Sequence, residues 1–153
     1  TDGAAIKLLG GTDTMAKGTK DGAFGIYHDN NIKLATTSTG VTVTGTAVAT
    51  TNTDATNTGS VTLDFAANQN FVLTLTGAVT LANPSTEQVG QSGFITFIQD
   101  GTGGRTVALG TDYETAGGAG LTLTSTASAT DIVPYVVVAA NRILLGTPQL
   151  AFA

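Results

Sequence analysis

The chain has no cysteine and no tryptophan, one histidine, one methionine and three prolines, and only 11% of its 153 residues are charged. Without cysteine there is neither a disulfide framework nor a thiolate zinc or redox centre, so durability must come from packing or association. A soluble globular protein usually carries roughly 25% charged residues. Six Lys and Arg spread along a chain of net charge −5 cannot form a basic stripe, which excludes nucleic-acid binding through a phosphate footprint. A lone histidine with no cysteine cannot complete a Ser-His-Asp arrangement or a His-rich metal site within one chain. No apolar run approaches the roughly 18 residues of a membrane-spanning helix; the longest, around Ile132 to Ala140, is interrupted by Pro134. The N-terminus shows no basic segment followed by an apolar core, so no signal peptide is visible. Starting at Thr1 fits either removal of an initiator Met or a fragment of something longer.

What the chain has instead is Thr, Gly and short apolar runs. Its 20 glycines and 41% hydrophobic residues suit a protein whose sides are buried against copies of itself. Gly3, Gly10, Gly11 and Gly18 interrupt any helical stripe in the first 20 residues, which read as an extended lead-in. From Phe24 onward, short strands alternate with turn residues. Asp29, Asn30 and Asn31 mark a hairpin, because Asn and Asp tolerate left-handed backbone. "TTNTDATNTG", from Thr50 to Gly59, has no large apolar residue and reads as a linker or solvated loop. Beyond it, strand-like runs of four to ten residues recur at the spacing of an all-β sandwich or barrel. "FIQDGTGGRTV" reads as a hairpin whose glycines supply the positive-φ positions, and "VVVAANRILL" as a second, with Ala140 and Asn141 near its turn. Pro84, Pro134 and Pro148 belong at strand ends, bulges or edges.

These readings divide the chain into a lead-in or attachment segment (1–23), a β stem unit (24–50), a linker (51–59) and a β-sandwich head (60–153). The expected head core is Val72, Leu73, Leu75, Phe94, Ile95, Phe97, Ile98, Val107, Leu121, Leu123, Val133, Val136, Val138, Ile143 and Leu145. At roughly 1.5–3 kcal/mol per buried large side chain, that set can hold a domain of about 95 residues. The stem has no such store. Ile32, Leu34, Val41 and Val43, with Phe24 and Ile26, are too few to close a core around one chain, and they would do so if three copies shared an interior.

Little in the sequence points to catalysis. Of the scattered acids, only Asp112 and Glu114 share a strand face, and a capped turn or exposed edge explains that pair without a substrate cleft. "DGTGGR" resembles a phosphate cradle only in composition, because a strand rather than a helix follows it. No spaced calcium-ligand loop is present, and no cofactor is implied. His28 is either a solvated turn residue or, on a trimer axis, one of three in a metal-binding ring. Aromatics, amides and charges at loop tips are the generic means of holding a sugar or an outer-membrane protein. Tyr113, Gln99, Tyr135, Asn141 and Arg142 are candidates for this, as are Asp100 and Arg105 in the glycine-rich turn.

Two stretches carry a resemblance. "IYHDNNIKLATTSTGVTVTGT" is similar to a short β-unit of structural and tail-fibre proteins of tailed bacteriophages, marine ones especially, through Tyr27, Asp29, Asn30, Lys33, Leu34, Thr36, Thr37, Thr39, Gly40, Val41, Val43, Thr44 and Gly45. One copy is present, with His28 at the variable place. The segment from Asn68 through Leu144 resembles the C-terminal β-domain of many phage virion proteins. It does so through Leu-Thr-Leu-Thr-Gly, Asn83-Pro84, Gly90-Gln91-Ser92-Gly93, Gln99-Asp100-Gly101 and Arg105-Thr106.

The resemblance implies a non-enzymatic, homotrimeric fibre or knob at the virion surface. In it, a β stem precedes a jelly-roll-like β-sandwich head, and the head contacts a host glycan or outer-membrane protein. The rival readings are a capsid-decorating or purely structural protein that binds other virion proteins, and a glycan-cleaving tailspike.

Overall fold

The computed structural model describes residues 5–152, and the chain divides at Val48/Ala49 into two compact units. The first is a five-stranded antiparallel meander in the order β1 (Ala5–Gly10), β2 (Asp13–Thr19), β3 (Phe24–His28), β4 (Asn31–Thr37) and β5 (Gly40–Val43). The expectation of an extended lead-in over 1–23 is corrected here for residues 5–19, which form β1 and β2; residues 1–4 of that segment lie outside the described residues. The glycines that forbid a helix do not forbid a strand, and Gly11, at φ 66°, supplies the turn between these two. The Asp-Asn turn occurs as expected: Asp29 and Asn30 take φ 49° and 59° between the paired residues His28 and Asn31. Asn30 then reaches back to β2, accepting from Thr14 N–H and donating to Asp13 Oδ1, both at 2.7 Å.

Strand register sorts this sheet into two faces. Ile6 and Leu8 lie opposite Gly18 and Ala16, Ala16 opposite Ile26, Ile26 opposite Leu34, and Leu34 opposite Val43, so one face is apolar across all five strands. Among the described residues no second layer of this unit covers it.

The second unit is also all-β, but it is not built from consecutive hairpins. Its strands are β6 (Thr51–Thr62), β7 (Asn70–Ala82), β8 (Ser92–Gln99), β9 (Val107–Leu109), β10 (Tyr113–Thr115), β11 (Thr130–Ala139), β12 (Arg142–Leu145) and β13 (Gln149–Phe152). They form an eight-stranded sheet in the order β10-β12-β11-β8-β7-β6, with β13 on β11 and β9 on β7. The ladders β6/β7, β7/β8 and β7/β9 are parallel. The chain therefore passes the same axis three times, at 51–62, 70–82 and 92–109, and each pass lies beside the previous one. The connectors, residues 63–69 and 83–91, are shorter than the dozen residues a parallel crossover usually needs. The first of them sends Leu63 and Phe65 into the core, and Pro84 is the one buried residue of the second.

Three expectations change as a result. Residues 51–59 are not a linker but most of β6. Thr favours extended backbone, and the strand is held by main-chain pairing to β7 and by buried Asn57, whose amide donates to Asp54 O and Thr74 O at 3.0 and 3.1 Å. "FIQDGTGGRTV" is not a hairpin, because β9 pairs with β7 rather than β8; Gly103 and Gly104 take positive φ in an excursion instead. The antiparallel connectivity of a jelly roll is replaced by parallel winding. The "VVVAANRILL" hairpin stands, as β11 and β12 around Asn141 at φ 57°.

The core contains Leu73, Leu75, Ile95, Phe97, Val107, Val133, Ile143 and Leu145 as expected, with Phe71, Val79, Leu81, Tyr113, Tyr135 and Val137 in addition. Phe65 packs against Phe71 and Tyr135 with ring centroids 5.0 and 5.2 Å apart. Four expected core residues, Val72, Ile98, Leu121 and Leu123, are half-buried. Phe94, Val136 and Val138 are exposed, because they occupy the opposite face of strands whose alternate positions are buried.

Candidate functional site

Among the described residues β9 pairs only with β7, and β10 only with β12, so each presents an unpaired edge. Between them lies an open cavity of about 570 Å³, lined by both strands and closed on one side by the segment Gly118–Leu121. Gly117, Gly118 and Gly120 all take φ between 66° and 74°, a conformation in which most side chains would be strained. Thr111, Glu114 and Thr115 give the wall its polar groups.

At this groove Glu114 meets Arg142. Nε and Nη2 of the guanidinium donate to the two carboxylate oxygens at 2.8 and 3.0 Å, a bidentate clasp joining β10 to β12. It holds the Glu114 carboxyl below its ordinary pKa. Beside it, Asn141 N–H donates to Glu87 Oε1 at 3.0 Å, tying the β11–β12 turn to the connector 83–91. Asn141 and Arg142 are exposed.

Tyr113 is not: it lies opposite Ile143 in the parallel β10/β12 ladder, is buried, and its hydroxyl has no partner among the described residues. Burial, aided by the Asp112 and Glu87 carboxylates, raises its pKa. Tyr135 is likewise a core residue. It donates to Gln69 O at 2.7 Å, and its pKa is pushed up to about 12 by burial. Both are withdrawn as surface contacts.

Asp100 and Arg105 form a separate cluster. Arg105 Nη2 donates to Asp100 Oδ2 at 2.8 Å, while Asp100 Oδ1 also accepts from Thr102 N–H and Gly103 N–H. The Arg105 hydrogen bond is the main cause of the lowered Asp100 pKa. The neck of this excursion is closed by Gln99, which is buried rather than exposed. Its amide donates to Arg105 O at 3.0 Å and accepts from Arg105 N–H at 2.8 Å, standing in for a pair of ladder bonds. These side chains shape the loop and are spent on one another.

Sequence reasoning missed Asp131. It is buried in β11 and accepts from Thr124 N–H at 2.6 Å, Thr124 Oγ1 at 2.8 Å and Ala151 N–H at 2.8 Å, locking both the 121–129 segment and β13. Its position in alternation with Val133, Tyr135 and Val137 was the available signal.

Asp112 and Glu114 do not form a facing pair. Asp112 is buried, its N–H donating to Asn83 Oδ1 at 3.1 Å, and Glu114 is engaged by Arg142. His28 is exposed at the β3–β4 turn with Nδ1 3.5 Å from Asp29 Oδ2. Among the described residues no group of three or more His, Asp and Glu side chains is placed to hold a metal.

Parallel winding, a core that takes in Phe65, Phe71, Phe97, Tyr113 and Tyr135, and ion pairs that brace loops define a β-domain with an open groove. The particular family follows from comparison: residues 57–139 match the family described as "Putative phage tail fibre C-terminal domain". The match spans 83 of the 153 residues, counting both ends, and the chain belongs to this family. It is a phage tail-fibre protein and so a component of the virion, built to associate with other virion proteins. No curated protein and no solved structure matches the chain.

Proposed function

We propose that the protein is a non-enzymatic, homotrimeric fibre or knob exposed on the virion surface, whose second unit contributes to attachment to a host glycan or outer-membrane protein. The observation that carries the trimer is the bare apolar face of the first unit. Ile6 is 82% exposed, and Leu8, Phe24, Ile26, Val41 and Val43 each stay about half exposed or more, on a single-layer sheet with no core of its own. Such a face exposes on the order of 600 Å² of apolar surface, at or above what a monomer tolerates, and its natural cover is the same face of further copies. Of the four expected stem residues, Leu34, Val41 and Val43 share this face. A bulge at Lys33 turns Ile32 to the other side, against Gly25.

Attachment is assigned to the groove between β9 and β10, lined by Glu114, together with Arg142, which is bonded to Glu114, and Asn141 next to it in the chain. Three such grooves on one axis make weak individual contacts effective by raising the local concentration of the second and third sites. Two measurements test the reading. Native mass spectrometry at micromolar concentration should give a trimer, and the purified protein should compete with phage for adsorption to host cells. A monomer removes the trimer, and unimpeded adsorption removes the attachment role and favours a structural part that binds only other virion proteins.

A further inference from the structure

β9 leaves a row of main-chain groups open. Val79 N–H donates to Thr106 O at 2.9 Å and Gly110 N–H donates to Leu81 O at 2.7 Å, so Thr106, Ala108 and Gly110 are the residues whose backbone faces β7. By alternation the N–H and C=O of Val107 and Leu109 face the other way, on the side of the 570 Å³ cavity. Among the described residues no strand takes them up. They are donors and acceptors at strand spacing, on a segment that the buried Val107 side chain fixes to the core.

Proteins ordinarily blunt such edges with charge, proline or bulges. β6, the longer free edge of the same sheet, carries Asp54 and two shifts of register, whereas Val107-Ala108-Leu109 carries none of these devices.

We propose that the groove receives an extended polypeptide segment of a host outer-membrane protein, which adds to β9 as a further strand. The proposal rests on the attachment reading above and chooses between its two ligand classes. Main-chain pairing holds such a segment, and the aliphatic wall of Leu109, Ala119 and Leu121 takes its alternate side chains.

A glycan would need polar side chains that the groove has already used. Small ligands are fixed by a few converging polar groups. Here Glu114 is bonded to Arg142, Thr111 Oγ1 accepts from Asn83 Nδ2 at 2.8 Å, Thr115 Oγ1 accepts from Gly120 N–H at 2.9 Å, and Tyr113 is buried. What stays unspent is backbone, and backbone is what an added strand reads.

Charge sorts the occupant in the same direction. From Ala49 onward the chain has seven Asp and Glu against Arg105 and Arg142, a net charge of −5, and both arginines are held by their own chain's carboxylates. An acidic saccharide is repelled by this field, and a segment carrying Lys or Arg is drawn in.

The test uses the full chain and intact host cells. Binding should fall about tenfold or more on cells shaved with protease and stay unchanged on cells oxidised with periodate. Leu109→Pro deletes one groove-side donor and no bond of the β7/β9 ladder, so it should weaken cell binding about tenfold with thermal unfolding unchanged. Should that variant unfold early, a backbone ester at Leu109 removes the same N–H without the proline ring. On adding detergent-solubilised outer-membrane protein of the host, hydrogen exchange should slow at Val107 and Leu109 and stay as it was at Ala108. Contact through side chains alone would not give that alternation. No binding to untreated cells overturns both this inference and the attachment reading. Binding that survives protease and is lost on periodate leaves attachment standing, through a glycan, and overturns this inference alone. Wild-type binding by a folded Leu109→Pro or ester variant overturns it as well.

Discussion

Gln99 is the side chain whose removal tests the account of the fold most directly. It sits 3% exposed at the end of β8, in a column with Asn57 and Leu75 on the neighbouring passes, and both hydrogen bonds of its amide go to the backbone of Arg105. Gln99→Ala removes both partners at once. Each backbone group left without a partner costs about 1–3 kcal/mol when buried, and about 0.5–1.5 when water can reach it. Since Arg105 is half-buried, the expected loss is about 2–4 kcal/mol. Against a total stability of order 5–15 kcal/mol for a domain of this size, that is a large fraction. It lowers the midpoint of thermal unfolding by roughly 10 °C or more.

Denaturant unfolding at fixed protomer concentration measures the loss, and hydrogen exchange at Thr102 to Arg105 should quicken before the rest of the unit. Gln99→Glu keeps the acceptor but puts a carboxylate against Arg105 O, so it should also destabilise. A change below about 0.5 kcal/mol for Gln99→Ala, the range of ordinary surface substitutions, would refute the claim that this amide closes the excursion.

Three further outcomes follow from the packing and the titrations. Gly93→Ala should cost at least about 2 kcal/mol in denaturant unfolding, because its Cβ would lie on Gln69 O and 3.1 Å from Tyr135 Cε1, with backbone on one side that cannot yield. Asn141→Gly should leave the β11–β12 turn intact or slightly firmer, while Asn141→Val, forced to φ 57°, should cost about 1–2 kcal/mol in the same assay. Stability should fall at both ends of the pH scale. The lowered carboxyls of Asp100 and Glu114 contribute above their ordinary values of 3.8 and 4.5, and this is lost as pH drops below them. The raised phenols of Tyr113 and Tyr135 contribute below pH 10, and this is lost as pH climbs past it. Ultraviolet difference absorbance should show tyrosinate forming together with unfolding, and Tyr113→Phe should flatten the alkaline limb.

Local chemistry was readable in the sequence where one turn or one strand decided the outcome. Asp29, Asn30 and Asn141 announced their turns through side chains that tolerate left-handed backbone, and all three adopt it. Alternation correctly buried Leu73, Leu75, Ile95 and Phe97. It did not reveal the neighbour of each strand, because a period of two names a face and says nothing of a partner. Parallel winding was therefore hidden, and with it the burial of Tyr113. In "TDYETAGG" that residue stands among polar groups, and only its pairing with Ile143, thirty residues on, takes it inside. Phe94, Val136 and Val138 misled for the opposite reason: apolar residues on both faces of a strand look like core until the register shows which face the chain itself can cover. The candidate contact residues divided in the same way. Arg142 and Asn141 were legible as tips of a hairpin, whereas the commitment of Asp100, Arg105 and Gln99 to each other depended on an excursion that turn statistics read as a reversal.

The three parallel passes are unequal in length. Asn52 lies opposite Phe71 and Phe71 opposite Ile95, offsets of 19 and 24 residues, and Val79 lies opposite Val107, an offset of 28. The β7/β8 and β7/β9 ladders stay in step and the β6/β7 ladder shifts by only one or two residues around Asn57, so most of the added residues fall outside the paired segments, chiefly in the connector 83–91 and the Asp100–Arg105 excursion. A fold laid down in this way separates the part that must be kept from the part that can be rewritten. Corner segments can lengthen, shorten or change composition while the stacked interior stays as it is, so the protein can revise its surface without refounding its core.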